Sequence, residues 1–150
     1  MEFQLIEIVF GSPEYDDTVW LRTEVLRKPL NMEFKAEDLA LEYDQYHFGL
    51  YDNGNNLRAC LILKEVDQNI VKMRQVAVSP ALQGKGLGKI MVTKVELWIK
   101  YKGYKKIVLS ARDTAVAFYL SMDYSIDGGI FEEVGIPHQS MFKIFNSTIS

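Results

Sequence analysis

The sequence predicts a domain of the mixed α/β (α+β) class, and three observations carry that expectation. Short runs of strand character alternate with amphipathic stretches of helical period along the chain. A strand, helix, strand order from about 70 to 110 asks for a parallel pair joined by a helical crossover. Hairpin-like pairs of strands on either side of that crossover make the remaining neighbours antiparallel. No repeat, low-complexity tract or linker interrupts the order, so residues 1–150 read as a single domain large enough to bury a core.

Taken in order, "FQLIEIVF" reads as the first strand. "YDDTVWLRTEVLRKPL" reads as a helix, because Val19, Arg22 and Leu26, together with Leu21 and Val25, recur at helical spacing until Pro29 stops them. Tyr46 to Tyr51 and Arg58 to Lys64 flank the turn-forming cluster "DNGNN" and form a hairpin. "IVKMRQVAV", after "DQN", is a third antiparallel partner that ends abruptly at Ser79-Pro80. Between Gly86 and Tyr101 the residues Leu87, Ile90, Met91, Val95, Trp98 and Ile99 fall on one helical stripe, with Lys85, Lys89, Lys94 and Lys100 opposite and Gly103 at the end. "KKIVLSA" is the continuous apolar run of a buried strand. Asp113 or Thr114 is placed to cap a further helix in which Ala115, Phe118, Tyr119 and Met122 share a face. Weaker strands at about 125–134 and 139–146 complete the sheet.

Composition excludes several functions. No apolar run approaches the ~20 residues that cross a bilayer. The stretch "MEFQLIEIVF" has acids where a signal peptide has a basic stretch, so a cytoplasmic protein with no membrane partner is expected. Cys60 stands alone inside "LRACLIL" and reads as a small apolar core residue. His47 and His138 are far apart and no Cys/His pair has ligand spacing, so no metal is implied. The net charge of −3 hides an uneven distribution: residues 1–68 hold 6 basic and 14 acidic side chains, residues 69–112 hold 10 and 1, and residues 113–150 hold 1 and 5. A compact basic block with acidic flanks suits a polyanionic small ligand better than nucleic acid, while the flanks can receive something cationic.

The basic block is centred on "VAVSPALQGKGLGK", residues 76–89. A glycine-rich turn that leaves a strand and opens a helix presents unpaired backbone N–H groups and the positive end of the helix dipole to a phosphate. Gly84, Gly86 and Gly88 keep the main chain bare, and Lys85 and Lys89 add charge. Two nucleotide motifs fail here. The P-loop would need a hydroxyl where Ile90 stands, and the dinucleotide fingerprint would need glycine at Lys89.

The pattern Q-x-x-G-x-G formed by Gln83, Gly86 and Gly88, after a strand ending Val76-Ala77-Val78, resembles the acetyl-CoA motif of the GNAT N-acetyltransferase superfamily. "ARDTAVAFYLSMDY" is similar to the second signature of that family through Ala115, Phe118 and Tyr119, and "EEVGIPHQSMFKI" resembles the ending of the ElaA-like bacterial branch. Arg112 stands where the family often has asparagine. Asp123-Tyr124 replaces a Gly-Phe pair, which puts Asp123 at a position that usually takes positive φ.

The resemblance implies a mixed, mostly antiparallel sheet of six or seven strands flanked by about four helices and splayed between the fourth strand (about 70–78) and the fifth (about 106–111). Acetyl-CoA fills the wedge as acyl donor. Its pantetheine arm meets the backbone at Val76, Ala77 and Val78, and its pyrophosphate meets Gln83, Gly84, Lys85, Gly86, Leu87, Gly88 and Lys89, with Arg112, Ala115, Phe118 and Tyr119 beside it. The implied reaction is direct acetyl transfer to a primary amine of a small molecule or protein, with Tyr119 as proton donor to the departing thiolate. An alkyl amine of pKa ~10.4 must first lose a proton. Glu132, Glu133, His138 and His47 are the candidate bases, and Arg74 and Gln75 either orient an acceptor or are ordinary strand residues. A non-catalytic acyl-CoA sensor with the same fold is the alternative, and a homodimer is left open.

Overall fold

The computed structural model describes residues 2–145. Its strands are β1 (Gln4–Ile8), β2 (Tyr46–Tyr51), β3 (Leu57–Asp67), β4 (Ile70–Val78), β5 (Lys106–Arg112), β6 (Ser125–Glu133) and β7 (Ile136–Ile144). Its helices are α1 (Pro13–Arg22), α2 (Ala36–Ala40), α3 (Leu87–Tyr101) and α4 (Val116–Ser121). One sheet orders the strands β1-β2-β3-β4-β5-β7-β6, and every neighbouring pair is antiparallel except β4 and β5. The mixed, mostly antiparallel seven-stranded sheet with four helices is therefore present as expected. Position 146, the expected end of the last strand, lies outside the described residues.

The local chemistry explains most element boundaries. Asp52 Oδ1 accepts from the backbone N–H groups of Gly54 and Asn56, both at 2.9 Å, while Asn55 takes φ 63°, which closes the β2–β3 hairpin. Val134 and Gly135 take φ 47° and 76° in the two-residue turn between β6 and β7, the sign combination of a type I′ hairpin. The Ser12 hydroxyl accepts from Tyr15 N at 3.2 Å and starts α1 just before Pro13, two residues ahead of the expected helical stretch.

The core lies mainly between α3 and one face of the sheet. Met91, Val92, Val95 and Ile99 are fully buried against a layer that includes Leu61, Leu63, Val71, Met73, Ile107 and Leu109. The observed stripe differs from the expected one in four residues. Val92 is buried, Ile90 and Trp98 are only partly so, and Glu96 is buried. Glu96, the lone acid of the basic block, accepts from Lys143 Nζ at 3.0 Å and from the Tyr124 hydroxyl at 2.7 Å. Fully formed bonds allow a charge inside an otherwise apolar stripe. On the opposite face of the sheet, Leu21 of α1 packs on Cys60 and Ala77, with Val25 and Leu26 alongside. Burial pushes the Cys60 thiol up to about 12, in keeping with its expected core role.

Two further expectations are corrected. Neither Asp113 nor Thr114 caps a helix; Asp113–Ala115 is a 3-10 turn and α4 begins at Val116 without a side-chain cap. The helix of α1 does not run regularly to Pro29. It widens into a π turn over Thr23–Arg27 and tightens into a 3-10 turn over Lys28–Leu30, because Pro29 has no N–H for the Val25 carbonyl and its ring crowds that oxygen. No helix among the described residues is long and apolar enough to cross a membrane.

Residues 32–45, which carry no legible periodicity, fold as α2 and a 3-10 turn at Leu41–Asp44. A buried ion pair fixes this segment. Arg22, 1% exposed, donates to both Glu42 oxygens at 2.9 and 2.6 Å, Tyr15 adds a hydroxyl bond at 2.8 Å, and His47 Nε2 donates to the Glu42 carbonyl at 2.9 Å. Burial raises the Glu42 carboxyl, but the Arg22 bonds and charge and the Tyr15 bond outweigh it and hold it below its ordinary value near 4.5. Arg22→Met should lower the free energy of unfolding by about 3–5 kcal/mol in urea titrations. A depressed carboxyl stabilises the fold above its unfolded pKa and loses that contribution as pH falls through its folded value. The wild-type protein should therefore lose more stability than the variant as pH drops below about 4.5.

Candidate active site

β4 and β5 pair only from Ile70–Lys106 to Met73–Leu109, whereas β5 stays paired with β7 as far as Arg112–His138. A bulge turns β4 away. Ile62 pairs with Arg74 and Cys60 with Ala77, so Gln75 and Val76 stand opposite the single residue Leu61, and Gln75 takes φ 55°. Divergence of the two strands opens a cleft of about 310 Å³ that passes between the faces of the sheet. Gln75 and Val76 line it from β4, Ser110 and Arg112 from β5, and Ala115 and Tyr119 from the α4 side. Leu26, Arg27, Glu133, Val134 and His138 close the opposite end.

The glycine loop begins just past the end of β4. Gln83 Nε2 donates to Val78 O at 3.2 Å and anchors the loop to the strand. Gly84 and Gly86 take φ 78° and 82°, and a Cβ built on either meets no atom within 4 Å, so the main chain here is bare. Gly86 is the N-cap of α3, whose first intrahelical bond goes from Ile90 N to Gly86 O at 3.1 Å. The amides of Leu87, Gly88 and Lys89 are left without helical partners. Gly88 differs from the other two: a Cβ built there would meet Phe118 at 3.4 Å, ordinary van der Waals contact, so it sits where α3 packs on α4 rather than in open space. Open space above unpaired amides at a helix N-terminus, with Lys85 and Lys89 exposed beside it, fits a pyrophosphate.

Tyr119 is 6% exposed, packed edge-on against Phe118 and Tyr124 with centroids at 5.0 and 5.4 Å. Burial pushes its hydroxyl well above the ordinary value, so it keeps its proton throughout the neutral range. At the far end of the cleft His138, also buried, places Nδ1 2.9 Å from the Ile136 carbonyl. A carbonyl only accepts, so Nδ1 carries the proton and Nε2 faces the Glu133 carboxylate at 3.5 Å. Arg112 Nη2 donates to Leu26 O at 2.8 Å and ties the end of β5 to the π turn.

The cleft thus gathers Arg74, Gln75, Val76, Arg112, Ala115, Tyr119, Glu133 and His138 from among the sequence-predicted residues. Gln83 to Gly86 lie in the adjoining loop and Leu87 to Lys89 in the first turn of α3, where the Leu87 side chain is buried in the core and Gly88 lies against the half-buried Phe118. The Ala77 side chain points to the other face, toward Leu21 and Cys60, and Val78 packs near Gly88. Glu132 is exposed and absent from the cleft lining, because strand alternation puts Phe131 and Glu133 on the His138 side instead. His47 is in a separate aromatic cluster with Phe10 and Tyr15, bound to the Glu42 carbonyl; burial holds it below the ordinary histidine value. Sequence reasoning passed over Leu26, Arg27, Lys72, Ser110 and Val134. Ser110 and Lys72 had a signal, being two residues from Arg112 and Arg74 on their strands.

The model of the acetyltransferase (GNAT) family matches residues 14–124. The chain belongs to this family, whose fold is that of an acyl-CoA-dependent acyltransferase. It is similar to YyaT of Bacillus subtilis, an uncharacterized protein, at 33% identity over 79 residues; the match spans 53% of either chain, about half the length of that relative. The B. subtilis YjcF, an uncharacterized N-acetyltransferase, is 27% identical over 91% of this chain and 96% of its own. Escherichia coli ElaA superposes with a TM-score of 0.75 at 26% identity, covering 95% of this chain and 98% of ElaA. A GNAT family acetyltransferase of Elizabethkingia anophelis, solved with acetyl-CoA bound, gives a TM-score of 0.72 at 19% identity over 95% and 98% of the two chains.

Asp123, at φ 70° just after α4, occupies the left-handed region that favours glycine. Asp123→Gly should raise the free energy of unfolding by about 0.5–1 kcal/mol, measured by chemical denaturation.

Proposed function

We propose that this protein transfers an acetyl group from acetyl-CoA to a primary amine while both substrates are bound. The observation that carries this reading is the cleft between the diverging strands, lined by both Tyr119 and His138, with the bare glycine loop beside it. The amides of Leu87 to Lys89, with Lys85 and Lys89, would hold the pyrophosphate of acetyl-CoA, and the chemistry it supplies is an activated thioester. The strand residues Gln75 and Val76, free of the β3 ladder, would orient the pantetheine and polarise the acetyl carbonyl.

His138 Nε2 takes the proton from the attacking amine, and the Glu133 carboxylate steadies the imidazolium that results. The new N–C bond forms as the C–S bond breaks. Tyr119 donates a hydrogen bond to the departing thiolate. A free thiol of pKa about 8.5 holds a proton more weakly than the buried phenol, so hydrogen bonding from Tyr119 stabilises the thiolate without needing full proton transfer.

Tyr119→Phe tests the reading directly. Release of CoA thiol should slow by about a hundredfold or more while acetyl-CoA affinity stays unchanged. Unchanged turnover would remove Tyr119 from the mechanism, and tight acetyl-CoA binding with no turnover by the wild-type protein on any amine would favour the sensor alternative. Gly86→Glu should abolish acetyl-CoA binding in calorimetry, because it sets a carboxylate at a φ of 82° into the space above the free amides.

A further inference from the structure

Beyond the cleft, a second and larger lobe of about 730 Å³ opens between the π turn, the α2 segment and the exposed face of β3 and β4. Arg27, Lys72, Arg74, Gln75 and Val134 line both lobes and so form the neck between them. Three of these five are cations and none is an acid. Among the described residues no carboxylate pairs with any of the three. Arg74 Nη1 donates to the Gln45 side-chain oxygen at 2.7 Å; Arg27 donates to the Leu26 carbonyl at 3.2 Å and stacks over Phe34; Lys72 makes no side-chain hydrogen bond.

Two more observations show that the charge is uncompensated. Lys64 stands directly opposite Lys72 in the β3–β4 ladder, a like-charge pair that destabilises a sheet, and Lys64 lines the outer lobe. Burial, then the charges of Arg112 and Arg22, lower the Arg27 guanidinium below its ordinary value, with only Glu133 acting the other way among the carboxylates that reach it. Glu33, Asp38, Glu42 and Asp44 line the outer lobe alone and Glu133 lines the inner cleft alone, so the neck between them is where cations stand with no acid. The neck also holds an orphan acceptor, since Gln75 Oε1 is buried with no partner.

We propose that the acceptor is an amine bearing an anionic group, a carboxylate or a phosphate, which docks on Arg27, Lys72 and Arg74 while the amine reaches past Gln75 into the inner cleft. This rests on the acyl-transfer reading above and supplies its substrate class. Guanidinium pairs bind carboxylate and phosphate through two parallel N–H bonds, and the same field disfavours a polycationic acceptor. The acidic flanks of the linear sequence suggested a cationic partner. The folded chain reverses that, because its cations converge at the neck.

The test compares matched acceptors by thiol release from acetyl-CoA: O-phosphoethanolamine against ethanolamine, β-alanine against propylamine, and spermidine. The anionic member of at least one pair should exceed its neutral partner in kcat/KM by about tenfold or more, and which pair responds separates phosphate from carboxylate. Arg74→Gln and Lys72→Gln should each raise the KM of that acceptor by about tenfold and leave the KM of acetyl-CoA within about twofold. Neutral amines or spermidine matching the anionic acceptors would overturn the proposal, as would variants that weaken acetyl-CoA instead. If no amine turns over, calorimetric titration of citrate into the protein decides the matter: binding that is lost in Arg74→Gln sustains the cationic, anion-binding neck, and no binding to the wild type overturns it. Acetyl-CoA titrated alongside keeps the two readings apart. Its failure to bind would remove the acyl-transfer reading, whereas the citrate result bears on the neck alone. Melting temperatures of the variants show that they fold.

Discussion

Four residue pairs, from Ile70–Lys106 to Met73–Leu109, are all that hold β4 to β5, and the rest of the molecule is arranged around where that pairing stops. The α3 crossover lets the two strands run parallel, and they start together with Ile70 opposite Lys106. The bulge at Gln75 and Val76 then steers β4 outward, while β7 holds β5 straight as far as Arg112. These constraints open a gap at the carboxyl ends of two parallel strands, the place where open α/β sheets bind ligands. The end of β4 leads into the glycine loop and the end of β5 into the turn before Tyr119, so one divergence brings donor loop and phenol to the same opening.

The far wall of that opening comes from segments distant in sequence, held by polar bonds in addition to the apolar packing of Leu26 near Cys60 and Ala77. Arg22 reaches 20 residues ahead to Glu42, and Arg112 reaches back 86 residues to the Leu26 carbonyl. The bond to Leu26 depends on the π turn, which rotates that carbonyl and the Arg27 side chain relative to a regular helix. Left-handed Val134 adds the β6–β7 hairpin to the same wall, and a β-branched residue with φ 47° is a local cost that the two-residue type I′ turn imposes. Strain at Gln75 and Val134 borders the cleft on both sides.

Charge shows most plainly how linear and spatial readings diverge. The basic block of residues 69–112 contains a single acid, and Glu96 spends its charge inside the core on Lys143, the one basic residue after position 112. The lysines at the glycine loop remain exposed. At the neck, Arg27 comes from the acidic first third of the chain and meets Lys72 and Arg74 from the basic block. Summing charge by segment therefore identified the loop correctly as a basic region but could not show that cations from two segments meet at the neck.

The sequence by itself determined the strand and helix order, the hairpin at "DNGNN", the crossover helix and the bare loop at Gly84 and Gly86, because each depends on contacts within a few residues. Period, turn chemistry and glycine conformation are local properties and can be read locally. Only the tertiary structure decided that Gly88 lies against Phe118 and not in open space, that Glu133 and not Glu132 faces His138, and that His47 belongs to a separate cluster. It also decided the α2 segment, whose five-residue helix has no periodicity to read and is held by Arg22 from another element. The physical reason is common to all of these. Strand facing, side-chain partnership and the meeting of Arg27, Lys72 and Arg74 depend on register and on chain segments far apart, and register is set by a bulge and by bonds that no short window of sequence contains.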